Sequence, residues 1–235
     1  MKEFINRFYQ SKMISKNKLQ AEQEFYWNLG LETVKSLETP EGILASGKSE
    51  IYGAIFGRDS LITSLKLLKV YKKTKNPDLL RLVKKVLLTL VDLQGKEVNI
   101  ESGEEPGKCI HEYRPNNHEH LTKNNNRPWY LYPDQVMRNY DTIDATPLLL
   151  IAIYRYFQAS SDQAFLDNIE SNIKEAIKWV FEYGDSNGDL FTDYSFKDNR
   201  HSGGLVNQNW MDSIESTFHE DGEVVVYPIA PVEAQ

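Results

Sequence analysis

The sequence DATPLLLIAIYRYFQAS, residues 144–160, decides the fold class of this 235-residue chain. The helix that it predicts is apolar nearly all round from Pro147 to Phe157, which is typical of a helix buried on most sides. The next predicted helix, 161–183, is amphipathic, because its apolar residues recur at helical spacing and its charged residues occupy the other face. A buried helix followed by an amphipathic one predicts an inner and an outer layer of helices.

Helical periodicity extends to three further stretches of the chain. The third of them begins at Asn76, a residue type that caps helices, and at Pro77, which suits a first turn. The segment 95–140 has no clear periodicity, and loops of this length in compact domains are usually functional. The three stretches are 19–37, 58–73 and 77–93.

The starts of the predicted inner helices recur at nearly equal spacing along the chain, at Asp59, Asp144 and Pro228. An outer helix lies between each pair of these starts. This regularity favours a ring of helical hairpins, an (α/α) toroid, in which the starts of the inner helices meet at one mouth. Loops at such a mouth commonly carry function on a rigid scaffold.

Composition argues against several classes of protein. Lys and Arg total 27 against 34 Asp and Glu, for a net charge of -7, whereas a protein that grips nucleic acid carries a basic face. The single cysteine, Cys109, can form neither an internal disulfide nor a cysteine-based zinc site. The N-terminus lacks the apolar core of a signal peptide, and no apolar run is long enough to span a membrane. We expect a cytoplasmic protein with no membrane partner and no cofactor.

Four segments combine carboxylates with nearby aromatic residues, and they lie at predicted helix starts or in long loops. Sugar-binding sites use this mixture, because carboxylates, amides and Arg bind hydroxyls and aromatic faces pack on the ring. The segments are FGRDS at 56–60, PGKCIHEYR at 106–114, YDTIDATP at 140–147 and GLVNQNWMDS at 204–213.

In this order, the four segments resemble those of bacterial amylo-α-1,6-glucosidases of the glycogen-debranching type and of related six-hairpin toroid glycosidases. The match extends from about residue 50 to the last residue and includes 219–222 and 228–235. The resemblance implies an all-α chain that forms about the N-terminal half of an (α/α)6 barrel, with a few short strands in long loops. We therefore expect one incomplete domain over 1–235, in which 1–18 is flexible.

The resemblance implies inverting hydrolysis of an α-glucan at its α-1,6 branches, by one general acid and one base on opposite faces of the sugar. It places the acid at Asp212. Burial beside Trp210 and a nearby carboxylate such as Glu215 would keep Asp212 partly protonated at neutral pH. The base belongs to the C-terminal half of the family, so we expect little hydrolysis by this chain alone. A second chain or that missing half would complete the toroid.

The resemblance also implies a set of residues that hold the non-reducing sugar. Most of them are charged or amide side chains, and three are aromatic surfaces on which the sugar would stack. The set is Arg58, Asp59, Glu112, Arg114, Asp144, Asn207, Gln208, Trp210, Trp129 and Tyr130.

Several of the same residues also suit purely structural roles. Asp59 and Asp144 suit helix N-caps. Glu112 and Arg114 alternate with apolar neighbours, as the exposed face of a short strand would. Trp210 suits a core position. These interpretations compete with the sugar-binding ones residue by residue.

Two further patterns suggest metal sites only superficially. His118 and His120 lack a third ligand at a recognisable spacing. The segment 185–189 departs from a calcium loop, because its glycine is one place early and Phe196 stands at the twelfth position, so we expect a turn. Cys109 is best interpreted as a neutral space-filler. We therefore expect no metal.

Two other functions remain open beside the glycosidase. The chain is alternatively a non-catalytic glycan-binding or assembly module, as a monomer or as a dimer that closes the ring. It is alternatively a toroid glycosidase of another specificity, one that cleaves mannosylglycerate or sucrose. In every case an open half-ring is expected to expose an inner-helix flank, and a large exposed apolar patch marks an interface or an aggregation hazard.

Overall fold

The computed structural model describes residues 2–213, 216–223, 225–231 and 234, with the backbone alone for 2–17. It divides into two units, Met1–Thr39 and Pro40–Gln235. The chain is mainly helical with a few short strands. The helices in the described residues are α1 Lys2–Ser36, α2 Gly57–Thr74, α3 Pro77–Asp92, α4 Glu119–Thr122, α5 Ala145–Ser160 and α6 Gln163–Glu182.

The first unit consists of α1 and the two-residue strand β1, Glu38–Thr39. The described part of α1 is exposed along most of its length, including Phe25 and Tyr26, which are 62% and 68% exposed. The helix predicted over 19–37 is confirmed as far as Ser36. Among the described residues, no helix combines the length and the apolar character that a membrane crossing requires.

The core of the second unit is built around α5. Helices α2 and α5 lie side by side, α3 packs against both, and α6 packs against α5. Helices α3 and α6 each present one apolar face to the core, as their periodicity predicts. The buried residues of these faces are Leu79, Leu82, Val83, Val86, Leu87, Leu90 and Val91 on α3, and Phe165, Ile169, Ala176 and Trp179 on α6.

The exposed flanks of α2 and α5 differ. On α5, Ile151 and Tyr154 are 48% and 55% exposed, so this helix is covered on fewer sides than its composition predicts. The reason is that its neighbours reach only part of its circumference. On α2, the exposed positions after Ile62 are Lys66, Lys69, Lys72, Lys73 and Thr74. One flank is therefore apolar and the other cationic.

Two helices begin with the side-chain cap that the sequence suggests, and two others begin without one. Asn76 accepts a hydrogen bond from Asp78 N and caps α3, and Asp162 caps α6. Asp144 occupies the N-cap position of α5 but makes no capping bond, and Asp59 lies in the first turn of α2 after the N-cap. The side chains of Asp59 and Asp144 are thus available for other interactions.

Three short strands bring the long segment 95–140 back to the start of α2. Strands β3 (Ile55–Phe56), β4 (Glu112–Arg114) and β5 (Met137–Asn139) pair antiparallel in that order, with Phe56 opposite Glu112 and Glu112 opposite Asn139. Glu112 and Arg114 are buried, whereas the strand interpretation placed them on the exposed face. The strands of the second unit are β2 Gly42–Ile43, β3 Ile55–Phe56, β4 Glu112–Arg114 and β5 Met137–Asn139.

The helix predicted at Pro228 does not form in the described residues 228–231. Ile229 instead exchanges backbone hydrogen bonds with Tyr194, with both N···O distances at 3.0 Å. The Tyr227–Pro228 peptide is cis. Val232, Glu233 and Gln235, which also belong to the predicted helix, lie outside the described residues. Non-local pairing with Tyr194 replaces the local helix.

Gly57 allows the strands and α2 to meet. A Cβ atom at this position would lie 2.1 Å from the carbonyl oxygen of Ile110. We expect Gly57→Ala to reduce the free energy of unfolding by about 1–3 kcal/mol, because backbone must move to admit the methyl group. Gly30→Ala is the control, since that position in α1 has open space and alanine favours helix. Urea unfolding followed by circular dichroism measures both, and equal midpoints would contradict the steric argument.

Candidate functional site

A cleft with a volume of ≈ 570 Å³ opens at the N-terminal end of α2. Arg58 and Asp59 line it from the first turn of that helix, and Trp210 and Asp212 line it from the loop that follows Asn209. Tyr52, at the mouth, is 60% exposed, and Trp210 is 61% exposed. The volume and the mixture of aromatic and polar walls are those of small-molecule sites.

A buried ion pair fixes one wall of the cleft. Arg58 donates through Nε to Asp144 Oδ2 at 2.5 Å and through Nη2 to Asp144 Oδ1 at 3.0 Å. The hydroxyl of Thr142 donates to Asp144 Oδ1 at 2.9 Å. The paired fork geometry makes this a strong interaction. The carboxylate of Asp144 is thus occupied inside the protein, while Arg58 still borders the cleft.

A second buried pair, Glu112 with Arg114, lies behind the cleft and does not line it. Arg114 also donates to the backbone carbonyl of Ile51, the residue before Tyr52. Burial raises the pKa of Glu112 above its ordinary value, the charge of Arg114 opposes that shift, and the charge of Asp212 adds to it. Glu112 and Arg114 therefore support the mouth of the cleft rather than face a ligand.

Asp59 shares the cleft with Asp212. Partial desolvation by the surrounding walls is the main cause that raises the pKa of Asp59, and the charges of Asp212 and Asp144 add to it. The positive charge of Arg58 lowers it. The net direction is upward, so Asp59 holds a proton more readily than an isolated aspartate. Two carboxyl groups that face one space can exchange protons with a bound ligand.

His111 forms part of the cleft wall and is only 5% exposed. Its ring meets the ring of Phe56 edge-on, with the centroids 5.5 Å apart. Burial, together with the charge of Arg58, lowers the pKa of His111 to about 4. The imidazole is therefore neutral at physiological pH. Sequence reasoning gave His111 no role, although its position in the segment 106–114 was the available signal.

Asn207 closes the loop that carries the aromatic and acidic groups of the cleft. Its Nδ2 donates to the carbonyl of Ser213 and, at 3.2 Å, to the hydroxyl of Ser216. Its Oδ1 accepts from the hydroxyl of Tyr194 at 3.4 Å. Asn207 is buried, so it shapes the loop from inside.

Three predicted ligand-binding residues lie away from the cleft. Gln208 lines a separate cavity of ≈ 70 Å³, and its backbone carbonyl accepts from Ile143 N at 2.8 Å. Trp129 forms a bridge with Gly203, and the ring of Tyr130 packs edge-on against another tyrosine. The structure thus gathers Arg58, Asp59, Trp210 and Asp212 but not Gln208, Trp129 or Tyr130. Glu215 lies outside the described residues.

An unpredicted ion pair anchors the segment that leads into the cleft loop. Arg200 donates through Nη1 to Asp141 Oδ1 at 2.7 Å, and both side chains are buried. Asp141 also accepts from Leu205 N at 2.9 Å and from Asn139 Nδ2 at 2.8 Å. This carboxylate joins β5, the start of α5 and the segment 200–205.

Residues that suggested other chemistry have structural partners. Both ring nitrogens of His118 are within hydrogen-bonding distance of a partner, a threonine hydroxyl at 3.0 Å and the carbonyl of Gln135 at 3.2 Å. The carboxylate of Asp185 accepts three backbone N–H groups, which makes 185–190 a turn. Burial raises the pKa of Cys109 to about 12, so this thiol is neutral.

No protein-family model matches the chain, and no curated protein matches it. The functional interpretation therefore depends on the chemistry of the cleft. That chemistry combines two exposed aromatic faces, two open carboxyl groups and a neutral imidazole. Together these groups can stack a ring, bind hydroxyls and move a proton.

Asp144→Asn tests the ion pair beneath the cleft. Removing one partner of a buried pair leaves the other charge uncompensated, so we expect a loss of about 3–5 kcal/mol in the free energy of unfolding. Asp134→Asn is the matched control, because Asp134 pairs with Arg138 at the surface and should cost less than about 1 kcal/mol. Urea unfolding measures both, and similar losses would show that Arg58 finds compensation elsewhere.

His111 makes stability depend on pH with a defined sign. Its pKa is about 4 in the folded chain and 6.5 as the reference value, so the unfolded chain takes the proton first as pH falls. The contribution of neutral His111 to the free energy of unfolding is intact above pH 6.5. Up to about 3 kcal/mol of it is lost as pH falls towards 4. Asp59 and Glu112 have raised pKa values and act in the opposite direction, in wild type and variant alike.

His111→Gln removes this titration. The difference in unfolding free energy between wild type and variant should therefore change between pH 7 and pH 4.5. Urea midpoints at the two pH values provide the measurement. A difference that stays constant across this range would mean that His111 is protonated in the folded chain.

Proposed function

We propose that the cleft binds the end of an uncharged saccharide, an α-glucan or related α-glycoside, and that the chain is glycoside hydrolase-like. The observation that carries the proposal is one cleft that is lined by the carboxyl groups of Asp59 and Asp212 and by the exposed aromatic side chains of Tyr52 and Trp210. Aromatic faces pack on the apolar face of a sugar ring, and carboxyl oxygens accept hydrogen bonds from its hydroxyls. The four motif segments support the same assignment.

The proposed reaction is inverting hydrolysis at an α-1,6 branch. In that chemistry a carboxylic acid protonates the leaving oxygen while a carboxylate activates water on the opposite face. Asp212 is proposed as the acid, and Asp59 and Arg58 as residues that hold the sugar. The supporting residues Glu112, Arg114, Asp144 and Asn207 would act by keeping the walls in place.

The helical toroid belongs to this proposal. Helices α2 and α5 would form part of an inner ring, and α3 and α6 part of an outer ring. A second chain or further hairpins would complete the ring and supply the base. A cytoplasmic location is part of the same proposal and is supported by the single cysteine, which gives no sign of a disulfide framework.

A non-catalytic glycan-binding module is the second candidate. It is favoured by the ion pairs of Glu112 and Asp144, which occupy two of the proposed ligand-binding carboxylates inside the protein. Among the alternative glycosidase substrates, mannosylglycerate is an anion, and two open carboxyl groups in the cleft would repel it. Sucrose is uncharged and remains compatible with these walls.

Titration calorimetry with maltotriose and with the α-1,6-linked trisaccharide panose tests the binding proposal. Trp210→Ala should weaken binding about tenfold, because it removes a stacking surface. Phe191→Ala is the control, since Phe191 is exposed but does not line the cleft. No detectable binding of either sugar by the wild-type chain would contradict both candidate functions.

Release of glucose from panose tests for hydrolysis by this chain alone. We expect little or no release, with sugar binding retained by Asp212→Asn, and both candidates share that outcome. Clear release that Asp212→Asn abolishes would place a complete catalytic apparatus within these residues and would overturn the binding module.

A further inference from the structure

The loop 207–213, called the cleft loop below, carries two of the groups that line the cleft, Trp210 and Asp212. It begins with two buried asparagines, Asn207 and Asn209, and then turns outward at Trp210, which is exposed. The contacts of the two asparagines therefore determine where the indole and the carboxyl group stand in the cleft.

Asn209 holds the backbone on one side of Asp212. Its Oδ1 accepts from Met211 N at 2.7 Å, and its Nδ2 donates to the hydroxyl of Tyr194 at 3.1 Å. A backbone N–H can only donate, so the end of the amide that faces Met211 has to be the oxygen. The Nδ2 end then faces Tyr194, and the hydroxyl of Tyr194 has to accept.

Asn207 holds the backbone on the other side of Asp212. Its Nδ2 donates to the carbonyl of Ser213, and its Oδ1 accepts from the hydroxyl of Tyr194 at 3.4 Å. A carbonyl can only accept, so the end of this amide that faces Ser213 has to be the donor. The hydroxyl of Tyr194 thus accepts one hydrogen bond, donates another and joins the two asparagines.

These hydrogen bonds form one continuous row that brackets Asp212, and the row is called the Tyr194 network below. Each bond sets the direction of the next, because the backbone group at one end can only donate and the group at the other end can only accept. Hydrogen bonds in such a row strengthen one another and rigidify the segment that they join. The row runs from Met211 N through Asn209, Tyr194 and Asn207 to the carbonyl of Ser213.

Tyr194 is also held by contacts outside the cleft loop. It is buried in a core cluster together with Ile143, which precedes α5, and Trp179 of α6. Its backbone exchanges hydrogen bonds with Ile229, and its ring meets the ring of Tyr227 edge-on, with the centroids 6.1 Å apart. One hydroxyl group therefore fastens the cleft loop to the core of the second unit.

We propose that Tyr194, which does not line the cleft, is a positioning residue whose hydroxyl group holds Asp212 and Trp210 where they meet a saccharide. The effect on affinity rests on the proposed saccharide-binding function. Without the hydroxyl, Asn207 and Asn209 lose their common partner, and the backbone on both sides of Asp212 is released. Saccharide binding should therefore weaken about tenfold.

Amide hydrogen exchange, followed by NMR, tests the network without any ligand. Tyr194→Phe removes the hydroxyl and keeps the ring, so the N–H of Met211 should exchange about tenfold faster, while the amides of α5 keep their rates. Tyr156→Phe is the matched control, because Tyr156 is equally buried and its hydroxyl donates to Asp162 at 3.1 Å, away from the cleft. It should leave the exchange of Met211 at the wild-type rate.

Two results of this exchange experiment would overturn the inference. The first is an unchanged rate at Met211 in Tyr194→Phe. The second is an equal acceleration of Met211 and of the α5 amides, since that would report a general loss of stability instead of a released loop.

A double substitution tests whether Tyr194 and Asn209 act through one network. The affinity for panose is measured by calorimetry for Tyr194→Phe, for Asn209→Ala and for the two combined. Each single variant should bind about tenfold more weakly, and the combined variant no more weakly than the weaker single one, because the second change affects a row that is already broken. Losses that multiply would contradict a shared network, and Tyr156→Phe should bind as wild type does.

The two measurements keep this inference separate from the proposed function. Should the wild-type chain bind neither maltotriose nor panose, the proposed function fails, and the exchange rate of Met211 still decides whether Tyr194 holds the cleft loop. Should wild type and Tyr194→Phe bind panose equally well, the proposed function stands and the positioning role of Tyr194 is overturned.

Discussion

The ion pair between Arg58 and Asp144 is the constraint on which the rest of the cleft depends. It joins the first turn of α2 to the N-cap of α5, the two helices that lie side by side in the core. A buried pair of this kind is costly to desolvate and costly to break, so its value is geometric more than energetic. The adjacent Asp59 lines the cleft, and burial together with the positive charge of Arg58 lowers the pKa of His111.

Much of the helical framework could be predicted because its signals are local. Helices α2, α3, α5 and α6 begin and end close to the predicted residues, since apolar periodicity and capping residues act within a few turns. The segment 95–140 could not be predicted, because pairing with distant residues determines its structure. Its carboxylate at Glu112 is buried, contrary to the exposed-strand interpretation, since Arg114 compensates the charge.

The candidate site was also predictable only in part, because contacts between distant residues determine much of it. Motif segments bring Arg58, Asp59, Trp210 and Asp212 into one group, and the structure places these four around one cleft. Gln208 and Tyr130 lie elsewhere, since proximity in a motif does not determine which way a side chain faces. The position of His111 in the segment 106–114 was its only signal, because a lone histidine has no spacing pattern and its environment depends on burial and on its neighbours.

The hydrogen bond from Arg114 to the carbonyl of Ile51 has a consequence for how variants would be understood. It couples β4, which does not line the cleft, to the backbone beside Tyr52, an aromatic residue that does. A substitution at Arg114 would therefore shift Tyr52 and change the shape of the cleft entrance. Weakened affinity in such a variant would report a changed entrance to the cleft. Contacts with the bound molecule itself would be revealed only by substitutions of residues that line the cleft.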